Sequence, residues 1–209
     1  MRPAFHTATV IAPEHRPITF ADLFNALKRI APHARVGTWD EPDLPVPPAD
    51  DPGIEMLMLD GQQLAVFAID QPTPAHHFEI GQLVNIHMRD PIAVCRGHRG
   101  HVRVMRTKEP HTRAEALMLS RAVTLVACAV AEFVSALAIH WSDADHIVPP
   151  SIVNVEKLAA PMEQAPQKGM APELWARLLI HAAPGNYESS QPLKTIASSL
   201  NRVGCPLLV

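Results

Sequence analysis

The 209 residues hold only three cysteines, Cys95, Cys128 and Cys205, odd in number and widely spaced. That is not a disulfide framework, and the thiols are expected to be reduced. The chain also lacks a charge excess. Its formal net charge is -3, with basic and acidic residues mixed throughout, so no field exists that would draw in nucleic acid or an anionic membrane. A long apolar run is missing too: in the most apolar region, the uncharged stretch Ala122 to Ala131 is bracketed by Arg121 and Glu132. That is about half of the ~20 residues a bilayer needs, which excludes a helical membrane span there. The first twenty residues show no basic start followed by an apolar stretch, so no secretory signal is expected and the expected location is the cytoplasm. No GxSxG, no phosphate-binding glycine loop, no dinucleotide fingerprint and no internal repeat is present, which lowers the hydrolase, kinase and oxidoreductase readings.

What is there is organised around residues 98–141. A basic strand, His101 to Thr107, leads into one long apolar helix, Thr112 to Leu137, and out into a strand, Ala138 to Trp141. Arg121, Thr124, Cys128, Glu132 and Ser135 step by three or four, so at about 100° per residue they share one stripe. Beyond its first turn, and Ser120 apart, the rest of that helix is apolar, and such a helix belongs inside a core.

Before it, Ala4 to Ala12 reads as an opening strand that ends at Pro13. Thr19, with Asp22 three residues on, caps a helix over residues 20–31 whose apolar face is Phe20, Leu23, Phe24, Leu27 and Ile30. A short strand over Ala34 to Trp39 precedes Asp40 to Gly53, which carries five prolines and five acidic residues and reads as an exposed loop. Two apolar runs, Ile54 to Leu59 and Leu64 to Ile69, flank Asp60-Gly61-Gln62-Gln63 and predict a hairpin. An irregular helix is expected within Ala75 to Met88. Pro91 to Cys95 is short and apolar, and a basic turn, Arg96 to Gly100, follows. Beyond Trp141 a polar loop through His146 is expected, then a helix over Ile152 to Met162 capped by Ser151, a strand over Leu174 to Ala182, and a polar tail. The expectation is a single domain spanning 1–209, with its core in 1–182 and a loosely ordered tail in 183–209.

The hairpin turning at Asp60-Gly61, the segment Thr73-Pro74-Ala75, the stretch His98-Arg99-Gly100-His101-Val102-Arg103-Val104, the long apolar helix and its exit Ala138-Ile139-His140-Trp141 resemble the bacterial domain-of-unknown-function family 4261, over roughly residues 4–182. The resemblance implies an α+β fold in a small bacterial cytoplasmic protein. It implies no activity and no catalytic residue. The close of this chain, Gly204-Cys205-Pro206-Leu207-Leu208-Val209, departs from the glycine-rich ending of that family.

Two clusters could carry chemistry. Cys95-x-x-His98-x-x-His101 places three candidate zinc ligands in seven residues, with His146, His87, His111 or Cys205 as a fourth. A structural role for these residues competes, because the second closely spaced pair of a zinc site is missing. The other cluster, His140, Trp141, Asp143, Asp145 and His146, lies where a strand hands over to a loop, and is a candidate for binding or for acid and base work. Arg121 and Glu132 could wall a ligand pocket. They are about three turns apart and cannot pair with each other. Cys128 lies among apolar residues with nothing to lower its pKa, which makes it a poor nucleophile.

The sequence therefore predicts an α+β fold: a mixed or antiparallel sheet of about five to seven strands, with the long apolar helix and the amphipathic Thr19 helix mainly on one face. For function it favours a non-enzymatic interaction module of the bacterial cytoplasm that needs no cofactor, holds a protein partner and is a possible homodimer. An accessory or immunity protein of a secretion or toxin system is the concrete version. The alternative is a zinc-dependent, hydrolase-like enzyme using His98, His101, Asp143 and His146. A small-ligand sensor with a pocket beside Arg121 and Glu132 is the third reading.

Overall fold

A computed structural model describes residues 7–39, 53–74, 88, 90–141 and 146–152. Seven strands form one sheet: β1 (Thr7–Ala12), β2 (Val36–Thr38), β3 (Ile54–Leu59), β4 (Gln62–Ile69), β5 (Gly100–Arg106), β6 (Ala138–Trp141) and β7 (His146–Val148). Their order is β2-β3-β4-β5-β1-β6-β7. Every pairing is antiparallel. Among the described residues three helices accompany them, α1 (Phe20–Ile30), α2 (Pro91–Arg96) and α3 (Arg113–Phe133), with a 3-10 turn at Pro150–Ile152. The described residues are thus α+β.

Local chemistry sets the ends of these elements. In α1 the Thr19 hydroxyl accepts from the Asp22 amide at 3.3 Å and the Asp22 carboxylate accepts from the Thr19 amide at 3.0 Å, a complete capping box. Glu55 of β3 also accepts from the Phe20 amide, which puts a carboxylate at the positive end of the helix dipole. At α3 the same device recurs: Thr112 accepts from the Glu115 amide at 3.1 Å, and Glu115 accepts from His111 at 2.6 Å and Thr112 at 3.2 Å. The far end of α3 closes in a Schellman motif, Ala136 donating to the Ala131 carbonyl and Ser135 to that of Glu132. Ser135 stands at φ 52, where glycine is usual because Cβ crowds the following carbonyl. Arg16 completes this terminus by donating to the Phe133 carbonyl at 2.6 Å while its guanidinium lies 4.0 Å over the Phe133 ring.

The two faces of the sheet differ in kind. Alternation puts Ala8, Val10, Leu57, Leu59, Leu64, Val66, Val102, Val104, Ile139 and Trp141 on one face, all buried in a single cluster with Leu23 and Leu27 of α1 and Leu125 and Val126 of α3. Each fully buried leucine there contributes roughly 1.5–3 kcal/mol. Every residue from Leu119 to Ala131 is buried. On the second face the described residues form a smaller cluster, Ile11, Ala138 and Ile147 with Met88, Val94 and Leu137 against it.

Several expectations need correction. The long helix ends at Phe133 rather than Leu137, because the Schellman motif stops it without a glycine to announce the stop. Pro91–Arg96 is helical; Asp90 accepts from the Ala93 amide at 2.9 Å and Pro91 holds a first-turn position, both ordinary helix-start signals. His146 opens strand β7 instead of ending a loop. The expected loop at residues 40–52, the irregular helix within 75–87, residues 142–145 and everything from 153 onward lie outside the described residues.

Candidate functional site

The helix face is used up by packing, so the chemistry available to the sheet lies on the second face. The register lines up one row across six strands: Ile54, Phe67, Arg103, Thr9, His140 and Ile147. Beside it run Met56, Ala65, Met105 and Thr7 on one flank and Ile69, His101, Ile11 and Ala138 on the other. Thr7, Thr9, His101 and His140 are buried. Ile54, Met56, Met58, Phe67, Ile69, Arg103 and Met105 are half-buried. Over the described residues, one half of the face is therefore closed, with Ile11, Ala138 and Ile147 buried beside its threonines and histidines, and the other is mainly apolar and half-buried around Arg103.

His98 and His101 both anchor one loop. The Thr73 amide donates to His98 Nε2 at 2.6 Å, and His101 Nδ1 donates to the Gln71 carbonyl at 2.7 Å. These bonds fix His98 Nε2 as a lone-pair acceptor and His101 Nδ1 as a proton carrier. Cys95 lies on α2. His146 pairs with Trp141, whereas His101 pairs with Ile11. Those positions are three strand spacings and three residues apart, roughly 17 Å between backbones. The set Cys95, His98, His101 and His146 is thus not gathered at one point, and among the described residues no three histidine, cysteine, aspartate or glutamate side chains are grouped to hold a metal. Asp143 and Asp145 lie outside the described residues.

His140 and Trp141 are adjacent on β6 and so point to opposite faces: His140 to the second face, Trp141 into the helix-face core. They do not share a site. Trp141 Nε1 and Thr73 Oγ1 are buried without a hydrogen-bond partner among the described residues.

Arg121 and Glu132 are also separated. Arg121, 8% exposed, lies 3.6 Å from the Asp60 carboxylate at the hairpin turn. Glu132 bonds Arg29 of α1 at 2.8 Å, both side chains exposed. A pocket of about 340 Å³ does lie beside Glu132, with Ile30, Ala131 and Ala136 as apolar wall and Cys128 among its lining. Burial pushes the Cys128 thiol up to about 12, which disfavours the reactive thiolate. A second cleft of about 280 Å³ lies between the hairpin turn and the start of α3, beside Gln62, Lys108, Glu109 and Glu115; its two carboxylates are committed, Glu115 to the helix cap and Glu109 to Arg106.

Sequence reasoning missed Arg103, which it read only as part of a basic strand. The strict alternation of β5, with Val102 and Val104 inward, was the signal that would have placed it outward among Phe67 and Met105. No helix among the described residues is long and apolar enough to cross a membrane. No family model matches the chain, and no curated protein or solved structure matches it either.

Proposed function

We propose that this chain is a non-enzymatic interaction module of the bacterial cytoplasm, and that it holds a protein partner on the second face of its sheet. One observation carries this reading: α1 and α3 share the core of one face, while the other keeps the half-buried Ile54, Met56, Phe67, Ile69 and Met105 side by side. Contiguous apolar surface of this kind is what a protein interface desolvates. An accessory or immunity role beside a secretion or toxin system, and kinship with family 4261, belong to the same proposal.

The test is a photo-crosslinking amino acid placed at Met56 on the second face, with Asn25 on the exposed side of α1 as control, in the host cell. A discrete crosslinked species from position 56 and none from position 25 is expected. A product at twice the chain mass would identify the partner as a second copy. No discrete product from position 56, or the same products from both positions, would contradict the reading.

A further inference from the structure

We infer that Arg103 anchors a carboxylate, so that the segment docking on the second face is acidic, with apolar side chains flanking the acid; the inference rests on the docking reading above. β5 is the middle strand of the sheet, and Arg103 lies there half-buried, with Phe67 on one side and Thr9 on the other. Other arginines that lie against the fold have acceptors. Arg106, on the same strand, meets Glu109; Arg121 meets Asp60; Arg29 meets Glu132; Arg16 meets the Phe133 carbonyl. The Arg103 side chain has no hydrogen bond or ion pair among the described residues.

Nor can its own sheet supply one. Among the described strands the acidic residue is Glu55, which pairs with Val66 and so points to the helix face. Asp70, which follows β4, is exposed and three residues beyond Phe67, roughly 10 Å along the strand. A partly desolvated guanidinium without a counter-charge is costly, and a carboxylate arriving with a partner relieves it through two parallel hydrogen bonds. The neighbourhood argues for a carboxylate over a phosphate, because phosphate-reading surfaces gather several arginines, whereas here the flanks are Phe67, Met56, Ala65 and Met105. The occupant is thus an acidic peptide segment of a protein.

The test titrates the full chain by NMR with two peptides, acetyl-Phe-Glu-Leu-amide and acetyl-Phe-Gln-Leu-amide. The expected result is that the Glu peptide shifts the amides of Phe67, Arg103 and Thr9 and binds about fivefold tighter, an advantage that added salt erodes. That advantage should vanish in Arg103→Gln and survive in Arg103→Lys, with thermal unfolding showing that both variants fold. Equal binding of the two peptides at this face overturns the anchor and leaves the docking face standing. A preference that persists in Arg103→Gln overturns the anchor as well. Binding of neither peptide, or shifts confined to another surface, overturns both.

Discussion

The two faces of one sheet solve different problems with the same strands. Toward α1 and α3, alternate residues of β3, β4 and β5 are Leu57, Leu59, Leu64, Val66, Val102 and Val104, each at most 3% exposed. The residues between them are Met56, Met58, Ala65, Phe67, Arg103 and Met105, and all but Ala65 are half-buried. A period of two guarantees that a strand cannot tune one face at the other's expense. Stability is therefore expected to reside on the helix face, and recognition on the other.

The largest test of that contrast is a pair of truncations. Leu125→Ala, at a fully buried position of α3, is expected to cost about 3 kcal/mol. Met56→Ala on the second face should stay within roughly 0.5–1 kcal/mol. Urea denaturation reads both, and equal costs would mean that the second face is as tightly packed as the first. Next in size is Asp60→Asn, which takes the Asp60 charge away from the 8% exposed Arg121 cation. Because Asp60 is 24% exposed, water takes up part of the loss, and about 2 kcal/mol is expected by the same measurement.

A smaller effect has the opposite sign. Ser135 at φ 52 carries the left-handed penalty of about 1–2 kcal/mol, against which glycine loses roughly 0.4–1 kcal/mol through its freer unfolded chain. Ser135→Gly should thus stabilise by about 0.5–1 kcal/mol, and a lower melting temperature would count against this account of the helix end.

The smallest test is pH, and two carboxylates act in opposite senses. The hydrogen bond from the Thr19 side chain, and then that from its amide, hold Asp22 below the usual aspartate value. Its contribution is present above the unfolded titration and lost as pH falls through the lowered folded one. Burial first of all raises Glu55; stability from that group is present at low pH and lost as pH rises through the raised value. Melting curves between about pH 3 and 6 should therefore show a flatter acid limb for Asp22→Asn and a flatter upper limb for Glu55→Gln. Unchanged slopes in both would remove the helix-end electrostatics from the account.

How far the fold was legible follows from the range of the signals. Thr19 with Asp22, Thr112 with Glu115, and Asp60-Gly61 act within four residues, so α1, the start of α3 and the β3–β4 hairpin could be read directly. The stop of α3 could not, since a serine fills the left-handed position and the motif consists of backbone bonds. β7 is three residues long and exists through its pairing with β6. The site was harder still. Histidines spaced by three in sequence suggested a ligand set, but His101 on a strand and His146 on another strand are placed by register, and register follows from which faces are buried. In sequence Arg103 is one residue of a basic strand, and only the register opposite Phe67 and Thr9 gives it its place on the second face.

The account's central claim is that the second face is open. Methyl-labelled methionine NMR of the full chain with a soluble paramagnetic agent measures this most directly, because Met56, Met58 and Met105 all lie there. The account predicts that these three methyls broaden strongly while the amide of Leu125, in the helix-face core, is spared. Methyls as protected as that core would show the face already covered, and would contradict the claim.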